Sequence, residues 1–345
     1  MTKIYPVVLC GGSGTRLWPR SRKEAPKPFL PLVDEETLFE ATLGRCADQT
    51  TFQAPTVVTG VGHRNHVEAQ AADYPGTRVI VEPMAKNTAA AIALAAERLP
   101  ADAIMLVCPS DHHIADVFAF QAAACAAAKL AEDDWLVSFG IEPTAPETGF
   151  GYIRRGAPLE GGFQVERFVE KPDLATVEQF IADGNYSWNG GIFVFRSSTF
   201  LEELARHRPG IANAVREAVA KGHEDGPAFF PDAGAFVAVD PAESVDYAVM
   251  ENTTRAAMVP VSMGWSDIGN WHALRDARAG DGNGNRTRGN VELVDCRNVL
   301  AETDGPRISV IGLEDVAIVV DGDEVLVTSM AGAQKVGKLT GAVNQ

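Results

Sequence analysis

Basic residues are scarce in this sequence. Lys and Arg number 30 against 46 Asp and Glu, a formal net charge of −16. Non-specific nucleic-acid binding is driven by neutralising phosphates with Lys and Arg, so that class of function is excluded. Any phosphate ligand must instead be held by a local group of cations working against the global field. Cysteines are also few. Cys10, Cys46, Cys108, Cys125 and Cys296 are odd in number, widely spaced and form no CxxC pair. This excludes a disulfide framework or a cysteine zinc site and fits a reducing compartment. Long apolar runs are missing. The run at 7–10 is too short for a signal peptide or a membrane span, and no later stretch approaches membrane length. The expectation is a cytoplasmic protein with no membrane and no nucleic-acid partner. The remainder is ordinary for a chain with a real core: 345 residues, 46% hydrophobic and 22% charged, with no internal repeat in view.

The first half alternates two patterns. Short β-rich runs fall at 5–10, 56–59, 78–81, 103–108 and 135–139. Between them lie helical stretches. Thr37 and Glu40 form a capping-box pair, Asn87 stands as an N-cap before the alanine-rich 89–99, and 119–131 has strong helix propensity. Such alternation predicts an α/β fold, a Rossmann-like mixed, mainly parallel central sheet flanked by helices. Ligands in these sheets sit beyond the carboxyl ends of the strands. The unusual residues cluster there: Gly11-Gly12-Ser13-Gly14 after the first strand and Pro109-Ser110-Asp111 after the fourth. The middle third reads as strands at 149–154, 164–169 and 191–196 with helices at 174–183 and 199–207. A Gly/Asn-rich stretch, 280–289, reads as a linker. Beyond it, β runs at 291–294, 308–311, 316–320 and 324–328 form a small β appendage. The division expected is 1–285 and 286–345.

The glycine loop is neither of the two common ones. A P-loop needs Gly-Lys-Ser/Thr, which is absent, and the dinucleotide fingerprint needs a third glycine where Leu17 stands. Glycines after a first strand still let backbone N–H groups approach phosphate oxygens. Arg16, Arg20, Arg22, Lys23 and Lys27 follow, five cations within twelve residues of an acidic chain. The bland reading is a turn followed by a solvated basic stretch. Pro19, Pro26 and Pro28 argue against it, because they fix the segment on a non-helical path.

With these residues in view, the chain resembles the sugar-1-phosphate nucleotidyltransferases. The run from Gly11 to Leu17 with Pro26-Lys27 is similar to that family's signature, and Leu17-Trp18-Pro19-Arg20-Ser21-Arg22 is similar to its mannose-1-phosphate guanylyltransferase branch. Further matches follow in order: Glu82-Pro83 with Asn87-Thr88-Ala89, Pro109 to His112, Pro146 to Tyr152, Val169 to Pro172, Trp188 to Gly191, Ser244 to Tyr247 and Trp265 to Gly269. The resemblance covers about residues 4–285. It implies attack by a phosphate oxygen of mannose 1-phosphate on the α-phosphorus of GTP, giving GDP-mannose and pyrophosphate. A phosphate monoester has a second pKa of about 6 and is largely dianionic at neutral pH, so no general base is needed. The enzyme must bring two anions together and neutralise developing charge.

The resemblance assigns Asp111 and Asp267 to one Mg²⁺, an ion that often takes one or two carboxylates plus substrate phosphates. Arg16 and Lys27 are implied to hold the triphosphate, and Lys171 the sugar phosphate, with Glu170 accepting from sugar hydroxyls. Leu9, Gly11, Gly12, Gly14, Thr15 and Ser110 join the nucleotide-binding set, and Gly151, Asn189 and Asp246 the sugar-phosphate set. Glu82 offers an acceptor suited to the N1–H and N2–H₂ donors of guanine, while Asn87 and Thr88 cap the next helix, touch the base, or both. Glu170 and Lys171 on one extended strand would face opposite ways, unless a bend at Pro172 brings them together. His112 and His113 lack companions at zinc-ligand spacing, and Trp18, Trp188, Trp265 and Trp271 read as core or pocket wall. Gly190 departs from the small hydroxyl residue of many relatives. Some relatives carry an isomerase domain for which this chain leaves no room, so one activity is expected. The resemblance also allows a homodimer. Two alternatives stand beside this reading: another sugar 1-phosphate and nucleotide pair, or a non-catalytic nucleotide-sugar-binding subunit.

Overall fold

A computed structural model describes residues 3–12 and 14–343. Ser13 of the glycine loop lies outside the described residues. The chain forms two compact units, each built from separated stretches. The first comprises Met1–Gly11, Thr42–Ser110 and Ile114–Trp265; the second comprises Gly12–Ala41, Asp111–His113 and Ser266–Gln345. A division at residue 285 is one of sequence, and the compact units cut the chain differently.

The first unit is an eleven-stranded mixed sheet. Its strands are Ile4–Cys10 (β1), Thr56–Gly60 (β2), Arg78–Glu82 (β3), Ile104–Pro109 (β4), Leu136–Ile141 (β5), Tyr152–Leu159 (β6), Gly162–Val169 (β7), Tyr186–Arg196 (β8), His223–Asp225 (β9), Ala228–Phe230 (β10) and Ala256–Val261 (β11). They lie in the order β9-β10-β3-β2-β1-β4-β8-β5-β11-β7-β6. From β10 to β4 the neighbours run parallel; β8 then enters antiparallel to both β4 and β5. The β4 side chains show why helices must cover both faces. Ile104, Leu106 and Cys108 join the core that holds the helix Val117–Glu132, whereas Met105 and Val107 join the core around Asn87–Ala96. Period-two alternation thus sends a continuous apolar run to two apolar layers.

Helix ends depart from expectation in one place. Asp116 caps Val117–Glu132 by accepting from the Ala119 N–H at 2.9 Å. Asn87 does not cap its helix in this way. It sits at φ 68 and accepts from the adjacent Thr88 N–H, while the helix entry is fixed by Ala89 N–H donating to the Glu243 carbonyl.

The second unit gathers the signature segment and the C-terminal strands around one core. Leu17, Trp18, Leu32, Trp271, Leu300, Val319, Leu326 and Val336 all belong to it. Trp271 is fully buried, and its indole N–H is satisfied by donating to the Trp18 carbonyl at 2.9 Å. The Thr37–Glu40 capping box forms in both directions, at 3.1 and 2.9 Å. The C-terminal strands coil. Val291–Val294 pairs in parallel with Ile308–Ile311, and Leu300–Thr303 with Val316–Asp321, with the same offset of 17 residues. A structural repeat is therefore present where none was legible. Nor is 280–289 a free linker. Asp281 accepts from the Asn283 and Asn285 N–H groups, and Arg286–Arg288 pairs with Leu300–Thr303.

Candidate active site

Within the second unit, the glycine loop must contain glycine for two reasons. Gly12 and Gly14 have φ 88 and 64, which side chains disfavour. A Cβ on Gly14 would also stand 2.5 Å from Lys27 Cβ and 2.9 Å from Ser21 Oγ. The loop is thereby packed down on Lys27 before the 3-10 turn Thr15–Leu17 begins.

Lys27 opens another 3-10 turn after Pro26 and is only 6% exposed. Its ammonium meets Asp111 Oδ2 at 2.7 Å and also donates to the Asp267 main-chain carbonyl. One cation therefore joins the two aspartates assigned to a metal. Burial pushes the Asp111 carboxyl up, but Lys27, then His112, more than offset this, so it lies below its usual range. Asp267 is aimed by its neighbours. Gly269 N–H donates to Asp267 Oδ1 at 3.1 Å, and a Cβ on Gly269 would sit 2.8 Å from Oδ2. Between them Ile268 takes φ 45, a strained conformation for a β-branched residue, held by its complete burial.

The oxygen donors suit a hard divalent ion that completes its shell with phosphate and water. Among the described residues no three His, Cys, Asp or Glu side chains gather to hold a metal, so a closed zinc site does not fit. Two of the five expected phosphate cations are committed elsewhere. Arg20 pairs with Glu302 at 3.5 Å, and Arg22 donates to the Asp321 carbonyl at 2.8 Å. These arginines bind the signature segment to the C-terminal strands; Arg16 stays exposed.

Within the first unit, the carboxyl ends of β1, β3 and β4 gather a second group. Leu9 is in register with Pro109, and its carbonyl accepts from Ser110 N–H at 3.0 Å. Ser110 is 1% exposed, and among the described residues its hydroxyl has no hydrogen-bond partner. Glu82 ends β3, level with Gly60 of β2. Its Oε1 is buried without a hydrogen bond among the described residues, and burial lifts its carboxyl to about 7. Thr88 is a structural tie: its hydroxyl accepts from Val245 N–H at 2.9 Å.

The sugar-phosphate candidates meet in the same unit. Asn189 donates to Asp246 Oδ1 at 2.8 Å, and its N–H donates to the Gly151 carbonyl at 2.8 Å. A Cβ on Gly151 would lie 2.5 Å from Glu170 Oε2 and 3.2 Å from Asn189 Cβ, so a side chain here would push the Glu170 carboxylate aside. The strand β7 ends at Val169, and Lys171 takes φ 48. That left-handed residue, not Pro172, turns the pair to one side, and Lys171 Nζ reaches Glu170 Oε1 at 2.7 Å. Hydrogen bonding to Glu170 raises the Lys171 pKa. Burial, then the nearby Glu170 charge, lifts Asp246 to about 6. Asp246 opens the π-turn Asp246–Met250, an irregularity common at functional sites. Two supporting residues escaped the sequence reading. Ser138 Oγ donates to Asn189 Oδ1 at 2.9 Å, and Glu251 Oε1 accepts from Glu170 N–H at 3.1 Å. Ser138 left one signal, a lone hydroxyl inside the apolar run of β5.

Known proteins resemble this chain in sequence and in fold. The family model for nucleotidyl transferase matches residues 5–283. Xanthan biosynthesis protein XanB of Xanthomonas campestris pv. campestris (strain B100) is 46% identical, over 99% of this chain and 74% of that protein. The mannose-1-phosphate guanylyltransferase of Escherichia coli (strain K12) is 41% identical, over 98% of this chain and 73% of that one. A solved structure from Thermus thermophilus, described as a mannose-1-phosphate geranyltransferase, is 33% identical with a TM-score of 0.87, covering 100% of both chains.

Proposed function

We propose that this chain, which belongs to the nucleotidyl transferase family and is an enzyme of its mannose-1-phosphate guanylyltransferase branch, joins mannose 1-phosphate to GTP and releases pyrophosphate. The observation that carries the chemistry is the Lys27 ammonium held on Asp111 and Asp267. The substrate pair is supported by the activity for which the Escherichia coli relative is named.

Each group has a part. Arg16 and Lys27 hold the triphosphate and offset charge that gathers on the departing pyrophosphate. Asp111 and Asp267 would hold Mg²⁺, which when bound supplies further neutralisation of phosphate charge. Lys171 binds the sugar phosphate and offsets part of the charge of the attacking anion. Glu170, Asn189 and Asp246 offer acceptors and a donor to sugar hydroxyls. The phosphate oxygen forms the new P–O bond as the bond to pyrophosphate breaks, and no proton need be moved by the protein.

Guanine selection falls to Glu82, whose unpartnered Oε1 suits the N1–H and N2–H₂ edge. Only the ionised carboxylate accepts both donors, and Glu82 titrates at about 7. GTP affinity should therefore tighten between about pH 6 and pH 8 by more than the triphosphate's own ionisation accounts for. Calorimetry on wild type and Glu82→Gln separates the two: the excess vanishes in the variant. An identical pH profile in both proteins would remove Glu82 from base recognition. The site of cleavage is tested with GTP labelled at the α-phosphate. The label should appear in the nucleotide sugar, and its appearance in pyrophosphate or free phosphate would refute attack at the α-phosphorus.

A further inference from the structure

The family match stops at residue 283, yet a segment far beyond it lies on the signature turn. The 3-10 helix Met330–Lys338 belongs to the second unit, as does Thr15–Leu17. Its start is fixed by Ser329, whose hydroxyl accepts from Gly332 N–H at 3.2 Å. Residues three apart eclipse each other in such a helix. Met330, Ala333 and Val336 form the buried row and share the core of Leu17 and Trp18. The adjacent row carries Gln334 and Gly337, and both meet Arg16. Gln334 Oε1 accepts from Arg16 Nη1 at 3.2 Å. A Cβ on Gly337 would stand 3.1 Å from Arg16 Cγ and 3.3 Å from Thr15 Oγ1. One turn on, a Cβ on Gly341 would lie 2.8 Å from Trp18 Cζ2. Two glycines thus let this segment press against the turn that presents Arg16.

An arginine on an exposed turn has many rotamers, and holding one of them costs entropy on binding. A guanidinium has five N–H donors in a rigid fork, so one can be held while others face a ligand. A neutral carboxamide suits this task because it orients the fork without cancelling its charge. We propose that Gln334 is a positioning residue for the reaction: it holds the Arg16 guanidinium with its remaining N–H groups turned to the nucleotide phosphates. This rests on the reading that Arg16 binds those phosphates.

The test is steady-state kinetics of pyrophosphate release with GTP and mannose 1-phosphate, on wild type, Gln334→Met, Gln334→Glu, Arg16→Ala and Arg16→Ala/Gln334→Met. Methionine keeps the length and removes the strong acceptor. Gln334→Met should raise the KM for GTP about three- to tenfold, the worth of one solvent-exposed hydrogen bond to a charged group, with the melting temperature unchanged. Gln334→Glu should be worse than Gln334→Met, since its carboxylate competes with phosphate for the fork. In the Arg16→Ala background, Gln334→Met should change nothing. An impaired Arg16→Ala with Gln334→Met at wild-type KM, or with the same Gln334→Met loss in both backgrounds, overturns this inference alone. Wild-type kinetics in Arg16→Ala would overturn the inference together with the phosphate role of Arg16.

Discussion

Glu82 shows how a single buried carboxyl makes stability depend on pH. Its pKa rises from 4.5 to about 7 on folding because burial disfavours the charge. Between those values the unfolded chain has lost the proton that the folded chain keeps, so stability falls as pH rises to about 7 and stays lowered above it. Glu82→Gln should therefore stabilise the protein by on the order of 1–3 kcal/mol at about pH 8 and by nothing near pH 4. Urea denaturation at the two pH values checks this; equal gains at both would show that desolvated charge is not the cause. Lys27 sits in the opposite situation, a buried cation satisfied by two aspartates. Lys27→Met should cut turnover by about 100-fold or more, comparable to losing one preorganised donor to developing charge. The types at these positions were legible from sequence. Their partners were not: nothing local in the sequence joins Lys27 to Asp111, or tells that Arg20 and Arg22 serve Glu302 and Asp321 instead of phosphate.

At the level of strands and helices, legibility followed locality. Strands β1 to β4 and the helices Val117–Glu132 and Leu174–Asp183 were visible because apolar runs, caps and glycines mark them within a few residues. The helix Pro209–Ala220 and the strand Ala256–Val261 were not singled out. The strand carries alanines and Pro260, a composition that argues against a strand until the pairing is known. It is settled by non-local contacts, parallel to β5 on one side and antiparallel to β7 on the other. The C-terminal coil was hidden for a similar reason, since its parallel pairings conserve burial and not residue identity. The glycine loop makes a sharper prediction. Gly14→Ala meets both an unfavourable φ of 64 and a contact at 2.5 Å with Lys27 Cβ. It should destabilise the protein by about 1–3 kcal/mol and lower activity by displacing Lys27. A Gly14→Ala protein with wild-type melting temperature and turnover would show that the loop relaxes freely.

For the molecule as a whole, an acidic chain pairs cations of its candidate site with carboxylates, buried Lys27 with Asp111 in the second unit and exposed Lys171 with Glu170 in the first. Neither compact unit is a continuous segment: residues 12–41 share a core with the C-terminal strands, which a linear boundary at 285 conceals. No helix among the described residues is long and apolar enough to cross a membrane. The metal reading is a property of the assembled second unit, because Asp111 and Asp267 are 156 positions apart in sequence (267 less 111) and meet through one ammonium. Asp111→Asn should remove Mg²⁺-dependent turnover while leaving the far-ultraviolet circular dichroism unchanged; near-wild-type rates in Mg²⁺ would exclude Asp111 from the metal site. Guanylyl transfer to mannose 1-phosphate itself is read out by pyrophosphate release. The assay sets four nucleoside triphosphates against mannose, glucose and N-acetylglucosamine 1-phosphates, with Mg²⁺ or with EDTA. Release is expected with GTP and mannose 1-phosphate, and EDTA should abolish it. Release confined to another pair would contradict the assigned specificity, and no release with any pair from folded protein would contradict catalysis itself.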